Sequence, residues 1–250
     1  MIEFKSAAEL EKMRAAGRVV AQVLAEVAAR VKPGVSTLEL EAAAEAAIAR
    51  AGAEPAFKGY HGYPCVLCTS VNDEVVHGIP SERTLQPGDI VSLDVGVKLD
   101  GYFGDSATTV ALEPVAPETA RLLAVTREAL AKAIAQARAG NYLGDISAAV
   151  QQHVEAAGFN VVREFVGHGI GTRLHEEPQV PNYVTAGAGR GPKLASGMVL
   201  ALEPMVTTGS PDVRIRADRW TAVTADGGKA AHFEHCVAVT KNGPWVLTEP

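Results

Sequence analysis

The sequence predicts an α+β fold with pseudo-twofold symmetry: a central antiparallel sheet with helices packed on its outer face. Three observations predict it. A helix–glycine–helix plan occurs twice, with Gly34 and Gly140 at equivalent places about 106 residues apart. Short apolar runs rich in β-branched residues follow each helix pair. Each set of runs carries two carboxylates at corresponding positions. Two helices followed by a hairpin, repeated, bury one helical layer against one face of a sheet.

Ser6-Ala-Ala-Glu9 has the form of a helix N-cap with a carboxylate three residues on. Leu10, Met13, Val20, Leu24 and Val27 then keep helical spacing, and Pro33-Gly34 closes the segment. Ser36 or Thr37 caps a second, alanine-rich helix from Leu38 to Ala51, stopped by Gly52. In the second half, Thr119–Ala139 reads as a helix, Gly140 as a break, and Ile146–Ala157 as a helix stopped by Gly158. Gly34–Gly52 lies over Gly140–Gly158 without a gap. Leu85–Asp94 and Leu194–Glu203 share Leu, Gly and Leu at fixed offsets and each ends in an acid, while Asp105-Ser-Ala-Thr-Thr-Val corresponds to Glu234-His-Cys-Val-Ala-Val. Ile90–Val95, Phe103–Val110, Met198–Leu202 and Phe233–Val239 are the expected strands. Pro114–Pro117 joins the halves, 1–113 and 117–250, in one expected domain, because neither half buries its sheet alone.

A composition of 47% hydrophobic and 21% charged residues is that of a globular protein, and a net charge of −6 argues against a broad cationic face for nucleic acid. Met1-Ile-Glu-Phe-Lys-Ser lacks a basic segment leading into an apolar run, and no stretch approaches the roughly 20 apolar residues of a membrane span. The expected compartment is the cytoplasm, and nothing demands more than a monomer. Cys65, Cys68 and Cys236 are too few and odd in number for a disulfide framework, and the Cys65-x-x-Cys68 pair sits in a strand-like context with no second pair to complete a zinc site.

A carboxylate inside an apolar strand is costly unless neutralised. Asp94, Asp105, Glu203 and Glu234 stand at symmetry-related places, so the twofold plan converges all four, and four clustered carboxylates do not stay ionised without cations between them. Oxygen-rich ligation with one imidazole suits Mn, Fe, Co or Zn and the shared ligands of a two-ion site. His168, in Gly-His-Gly-Ile-Gly, is the candidate imidazole, its flanking glycines allowing close approach. His77 and His175 would each alone read as a surface or satisfied core histidine; their placement at apolar-to-Gly/Pro junctions leading into the acid-bearing strands weighs a catalytic reading equally with that one. His153 reads as a surface helix residue and His61 as a pocket rim. His232 and His235 flank Glu234 and are expected on the opposite face of its strand.

At these residues the sequence resembles methionine aminopeptidase of the bacterial type I group: His77-Gly-Ile-Pro, Asp94 with Asp105, Gly167-His-Gly-Ile-Gly, His175-Glu-Glu-Pro, Glu203-Pro-Met and Glu234-His, in order over essentially the whole chain. The resemblance implies the pseudosymmetric pita-bread fold, a chain that begins at the catalytic domain, and removal of the N-terminal methionine from nascent proteins, with a preference for a small uncharged second residue set by crowding beside the metals. It implies two divalent ions, with Asp94 chelating one, Asp105 and Glu234 bridging both, and His168 and Glu203 completing the other site. Glu203 would also manage the proton of the bridging water, His77 and His175 would contact the peptide, and Tyr60, Tyr63, Cys68 and Trp220 would form the methionine pocket. The implied partners are nascent peptide N-termini, at the ribosome, without direct contact to nucleic acid or membrane. Phe57 and Leu174 fall where other bacterial members often carry Cys and Phe, so the pocket wall is expected to differ there. The rival readings are a proline-specific aminopeptidase of the same fold and a non-catalytic peptide-binding module; the full set of five ligands stands against the second.

Overall fold

The computed structural model describes residues 1–187 and 189–250. The first half runs α1 (Ala7–Ala28), α2 (Thr37–Arg50), β1 (Glu54–Pro55), a single 3-10 turn at Tyr60–Gly62, β2 (Leu67–Val71), β3 (Glu74–Val76), β4 (Ile90–Leu99) and β5 (Tyr102–Ala111). The second runs α3 (Pro117–Gln136), α4 (Leu143–Ala156), β6 (Asn160–Val161), β7 (Gly167–Gly169), β8 (Glu176–Val180), β9 (Val199–Leu202) and β10 (Met205–Thr207). It ends with β11 (Val213–Ile215), β12 (Ala222–Thr224), β13 (Ala230–His232), β14 (His235–Thr240) and β15 (Gly243–Val246).

Local chemistry explains the helix starts. Ser6 and Ser36 each accept a hydrogen bond from the backbone N–H three residues on, and Glu9 and Glu39 reach back to the cap N–H. At the equivalent place in the second half, the Asp145 carboxylate accepts from Tyr142 N–H at 2.8 Å. Thus α2 and α4 are both 14 residues long and start at equivalent positions. The expected bounds shift at the ends. α3 starts at Pro117 rather than Thr119, because proline suits the first helical position. It stops at Gln136 rather than Ala139, and α1 stops at Ala28, ahead of Pro33-Gly34.

The repeat survives in three dimensions at the level of single hydrogen bonds. Gly34 N–H donates to Leu85 C=O at 2.8 Å and Leu85 N–H to Val35 C=O at 2.8 Å. Gly140 donates to Leu194 at 2.9 Å and Leu194 to Asn141 at 2.7 Å. Both glycines have positive φ, +89° and +100°, a region only glycine enters without penalty.

All strand pairs are antiparallel. β4 pairs with β1 and β2 along one edge and with β5 along the other, and a five-stranded sheet runs β15-β14-β9-β7-β8. The single central sheet expected from sequence is divided: two smaller three-stranded sheets, β13-β10-β6 and β11-β12-β3, flank the larger pair. The larger sheets meet where β5 passes β14. There Glu234 N–H donates to Ala107 C=O at 2.9 Å, Ser106 Oγ donates to Glu234 C=O, and Cys236 Sγ donates to Asp105 C=O at 3.0 Å.

Helices cover the outer faces, α1 against β4 and β5, and α3 against β9, β10, β13 and β15. Each half has its own core. Val20, Leu40, Ile48, Leu67 and Leu93 fill the first, and Leu122, Ile146, Val150, Leu200 and Val237 the second. Each such side chain contributes roughly 1.5–3 kcal/mol on full burial. A third cluster draws on both halves, with Met13, Phe57, Tyr63 and Cys68 packed with Ile170, Leu174, Val199 and Cys236. It lies under the site described next.

Candidate metal centre

Strand register brings the acids together. Asp105 pairs across from Gly96 on β4, and Asp94 is two residues before Gly96, so both carboxylates stand on one face as diagonal neighbours. Cys68 lies directly opposite Asp94 on β2 and shares that face. A side chain at Gly96 would strike the Phe57 ring at 2.7 Å; its absence lets Phe57 lie against the sheet there. Asp94 is not at a strand end, as its sequence context suggested, because β4 continues through buried Val95 and Val97.

In the second half His168 pairs with Ala201, and Glu203 follows two residues later, just past the end of β9. His235 pairs with Leu202, which sets Glu234 beside Glu203. The glycines around His168 serve the backbone more than the imidazole. A Cβ at Gly167 would sit 2.3 Å from Ala201 O, and one at Gly169 would sit 2.2 Å from Glu177 O. Only glycine lets β7 fit between its two neighbours.

Asp105, His168 and Glu234 offer donor atoms all within 4.8 Å of one another. His168 Nε2 is 4.0 Å from Asp105 Oδ2 and 3.5 Å from Glu203 Oε1. Asp105, His168 and Glu234 are buried. Asp94 Oδ1, Asp105 Oδ1 and Glu234 Oε1 have no hydrogen-bond partner among the described residues, a costly arrangement for buried oxygens unless a cation satisfies them.

The electrostatics agree. Burial pushes Asp94 up to about 7. Burial, then the charges of neighbouring carboxylates, holds Asp105, Glu203 and Glu234 well above the usual carboxylate range. Burial also lowers His168 to about 3 and His77 to about 4, so both imidazoles are neutral at physiological pH, the state in which histidine ligates metal. The donor set is oxygen-rich with one imidazole and fits a divalent ion.

Above these groups is a cavity of about 240 Å³. Tyr60, Tyr63, Cys68, His77, His175 and Trp220, the residues expected to meet substrate, all line it, together with Phe57, Leu174 and His61. The Tyr63 hydroxyl donates to Leu67 and Gly78 carbonyls at 3.0 Å each, fixing its ring edge-on to Trp220. Tyr60 OH is 2.8 Å from His175 Nδ1, and the His175 ring centroid is 4.1 Å from that of His168. His77 has φ +60° and packs edge-on to Phe165, an aromatic neighbour that sequence reasoning did not single out. Burial raises the Cys68 thiol well above its ordinary range, which suits a pocket wall and not a nucleophile. His153 Nε2 lies 3.0 Å from Glu128 Oε2 on the helix surface.

One expectation is overturned. His232 does not point away from Glu234: its Nε2 is 3.8 Å from Glu203 Oε2 and 4.0 Å from Glu234 Oε2, with 2% of the side chain exposed. Residues two apart on a strand share a face, so period-two reasoning itself placed His232 with Glu234. The expected strand also breaks at Phe233-Glu234, between β13 and β14. His235, one residue on, does turn elsewhere, to Thr248 Oγ1 at 2.8 Å.

Residues 11–241 match Metallopeptidase family M24. The chain is also 49% identical over 249 residues to a methionine aminopeptidase of Clostridium acetobutylicum, covering 99% of each sequence. The chain belongs to the methionine aminopeptidase branch of family M24. Methionine aminopeptidase 1 of Bacillus subtilis is 50% identical to this M24 chain, again over 99% of each. The crystal structure of methionine aminopeptidase from Thermotoga maritima superposes with a TM-score of 0.97 at 46% identity, covering 100% of both chains. Prolidase from Pyrococcus furiosus shares the fold, with a TM-score of 0.79 at 20% identity over 99% of this chain and 65% of that one. The pita-bread architecture expected for an M24 chain is therefore present.

Proposed function

We propose that this protein removes the N-terminal methionine from nascent proteins and peptides, preferring a small uncharged second residue. The observation that carries the reading is the convergence of buried, cation-requiring carboxylates and one neutral imidazole beneath an apolar, aromatic cavity. Asp94, Asp105, His168, Glu203 and Glu234 would hold two divalent ions, drawn from Mn, Fe, Co or Zn. Bound there, the ions supply an activated water near neutral pH and polarise the scissile carbonyl.

The chain's own groups do the rest. Glu203 accepts the water's proton and passes it to the leaving amine. His175, oriented by Tyr60, and neutral His77 hydrogen-bond the peptide. Tyr63, Trp220, Phe57, Leu174 and Cys68 offer an apolar wall on which a thioether makes favourable sulfur–aromatic contacts. Residues 1–250 act on this reading as one catalytic domain and a monomer in the cytoplasm, meeting nascent chains as they leave the ribosome.

Glu203→Ala tests the assignment. Turnover of Met-Ala-Ser should fall by at least about 100-fold, the usual contribution of a positioned acid–base group, while the thermal midpoint and circular dichroism stay native-like. Near-normal turnover would remove Glu203 from its role. Hydrolysis of Ala-Pro-Ala in preference to Met-Ala-Ser would favour the proline-specific alternative.

A further inference from the structure

The proposed reaction gives no work to His232, a polar side chain at the metal centre. Its Nε2 is buried and unpartnered among the described residues. It faces the outer oxygens of two carboxylates, 3.8 Å from Glu203 Oε2 and 4.0 Å from Glu234 Oε2. The other oxygen of Glu203, Oε1, faces His168 Nε2 at 3.5 Å, so the carboxylate lies between two imidazoles.

His232 is held independently of these acids. Its N–H donates to Thr109 Oγ1 at 3.0 Å, the same hydroxyl donates to its C=O at 2.7 Å, and it pairs with Met205 across β10. Glu203 is anchored too, its C=O accepting from Asn182 Nδ2 at 2.9 Å. A rigid ring nitrogen flanked by carboxylate oxygens carries hydrogen toward them. The gap exceeds a hydrogen bond by about 1 Å and is too short for a bridging water.

We propose that His232 is a positioning residue: its Nε2–H donates to Glu203 Oε2 and fixes that carboxylate so that Oε1 is presented to the divalent ion. The inference rests on the proposed ligand role of Glu203. Partners that hold a ligand from behind typically contribute 10–100-fold to metal affinity.

The experiment is calorimetric titration of metal-stripped full-length protein with Mn(II), for wild type, His232→Ala, His232→Gln and Asp105→Asn, each checked by circular dichroism. His232→Phe, which fills the volume without a donor, replaces the alanine variant if that one unfolds. His232→Ala or His232→Phe should bind Mn(II) about 10–100-fold more weakly, and His232→Gln, which restores an N–H donor, should return to within roughly threefold of wild type. Wild-type affinity in the donor-less variant overturns the proposal. So does equal weakness in His232→Gln, which would make the imidazole itself a ligand. Asp105→Asn separates the two readings: wild-type binding there defeats the ligand assignment itself, whereas loss there with no effect at His232 defeats only this inference.

Discussion

Lys5→Met is a stability test that also reaches the site. Lys5 Nζ lies 2.6 Å from Glu176 Oε2, and the two side chains are 3% and 2% exposed. The pair ties the N-terminal segment to the residue after His175. Methionine preserves the apolar stem of Lys5 and deletes the charge, leaving the Glu176 carboxylate in a dry site. Removing one partner of a buried ion pair costs about 3–5 kcal/mol. Glu176 Oε1 keeps two amide donors, Thr172 N at 2.9 Å and Arg173 N at 3.2 Å, which solvate part of the orphaned charge. The expected loss therefore sits near the lower end, about 3 kcal/mol, or roughly 6–12 °C in thermal midpoint for a chain of this size. The assay is urea and thermal unfolding of metal-stripped protein, so that ion binding adds no stability of its own. Glu176→Gln in the Lys5→Met background should recover most of the loss, because no buried charge is left behind. A loss below about 1 kcal/mol, the worth of a solvated surface pair, refutes the claim that this pair is buried in solution.

Three further outcomes follow from the same structure. Glu41 accepts the N–H groups of Val66 at 2.8 Å and Leu67 at 2.9 Å at the entry to β2, so Glu41→Ala leaves two buried donors unmet and should cost about 2–4 kcal/mol in urea unfolding; a change under about 0.5 kcal/mol contradicts it. Metal binding should release protons, because Asp94 titrates near 7 and the other three acids above their usual range; the number released, read by calorimetry in buffers of differing ionisation heat, should be above zero at pH 7. The sign for stability follows. A carboxyl raised in the folded state binds more protons folded than unfolded, so its contribution is present below pH 3.8 and lost as pH rises through its folded value, about 7 for Asp94. The buried histidines act oppositely, but only below their ordinary value of 6.5. Metal-stripped protein should thus lose thermal stability from pH 6.5 to 8 and regain it with Mn(II); a flat profile without metal contradicts the raised values.

The sequence alone determined the repeat, because caps and glycine stops are local chemistry: Ser6 with Glu9, and the breaks at Gly34 and Gly140, need no distant partner to be legible. It also marked Asp94, Asp105, Glu203 and Glu234, since an acid in an apolar run is anomalous wherever the run ends up. The tertiary structure alone decided how the halves meet. The β5–β14 seam is made by Glu234 N–H, Ser106 Oγ and Cys236 Sγ reaching backbone carbonyls over 120 residues away in sequence, and no local pattern encodes that. For His232, period two already places the ring on the face of Glu234; what packing alone supplies is the approach of Glu203, just past the end of β9. Periodicity fixes which face a residue takes within its own element; what stands opposite that face is settled by packing between elements.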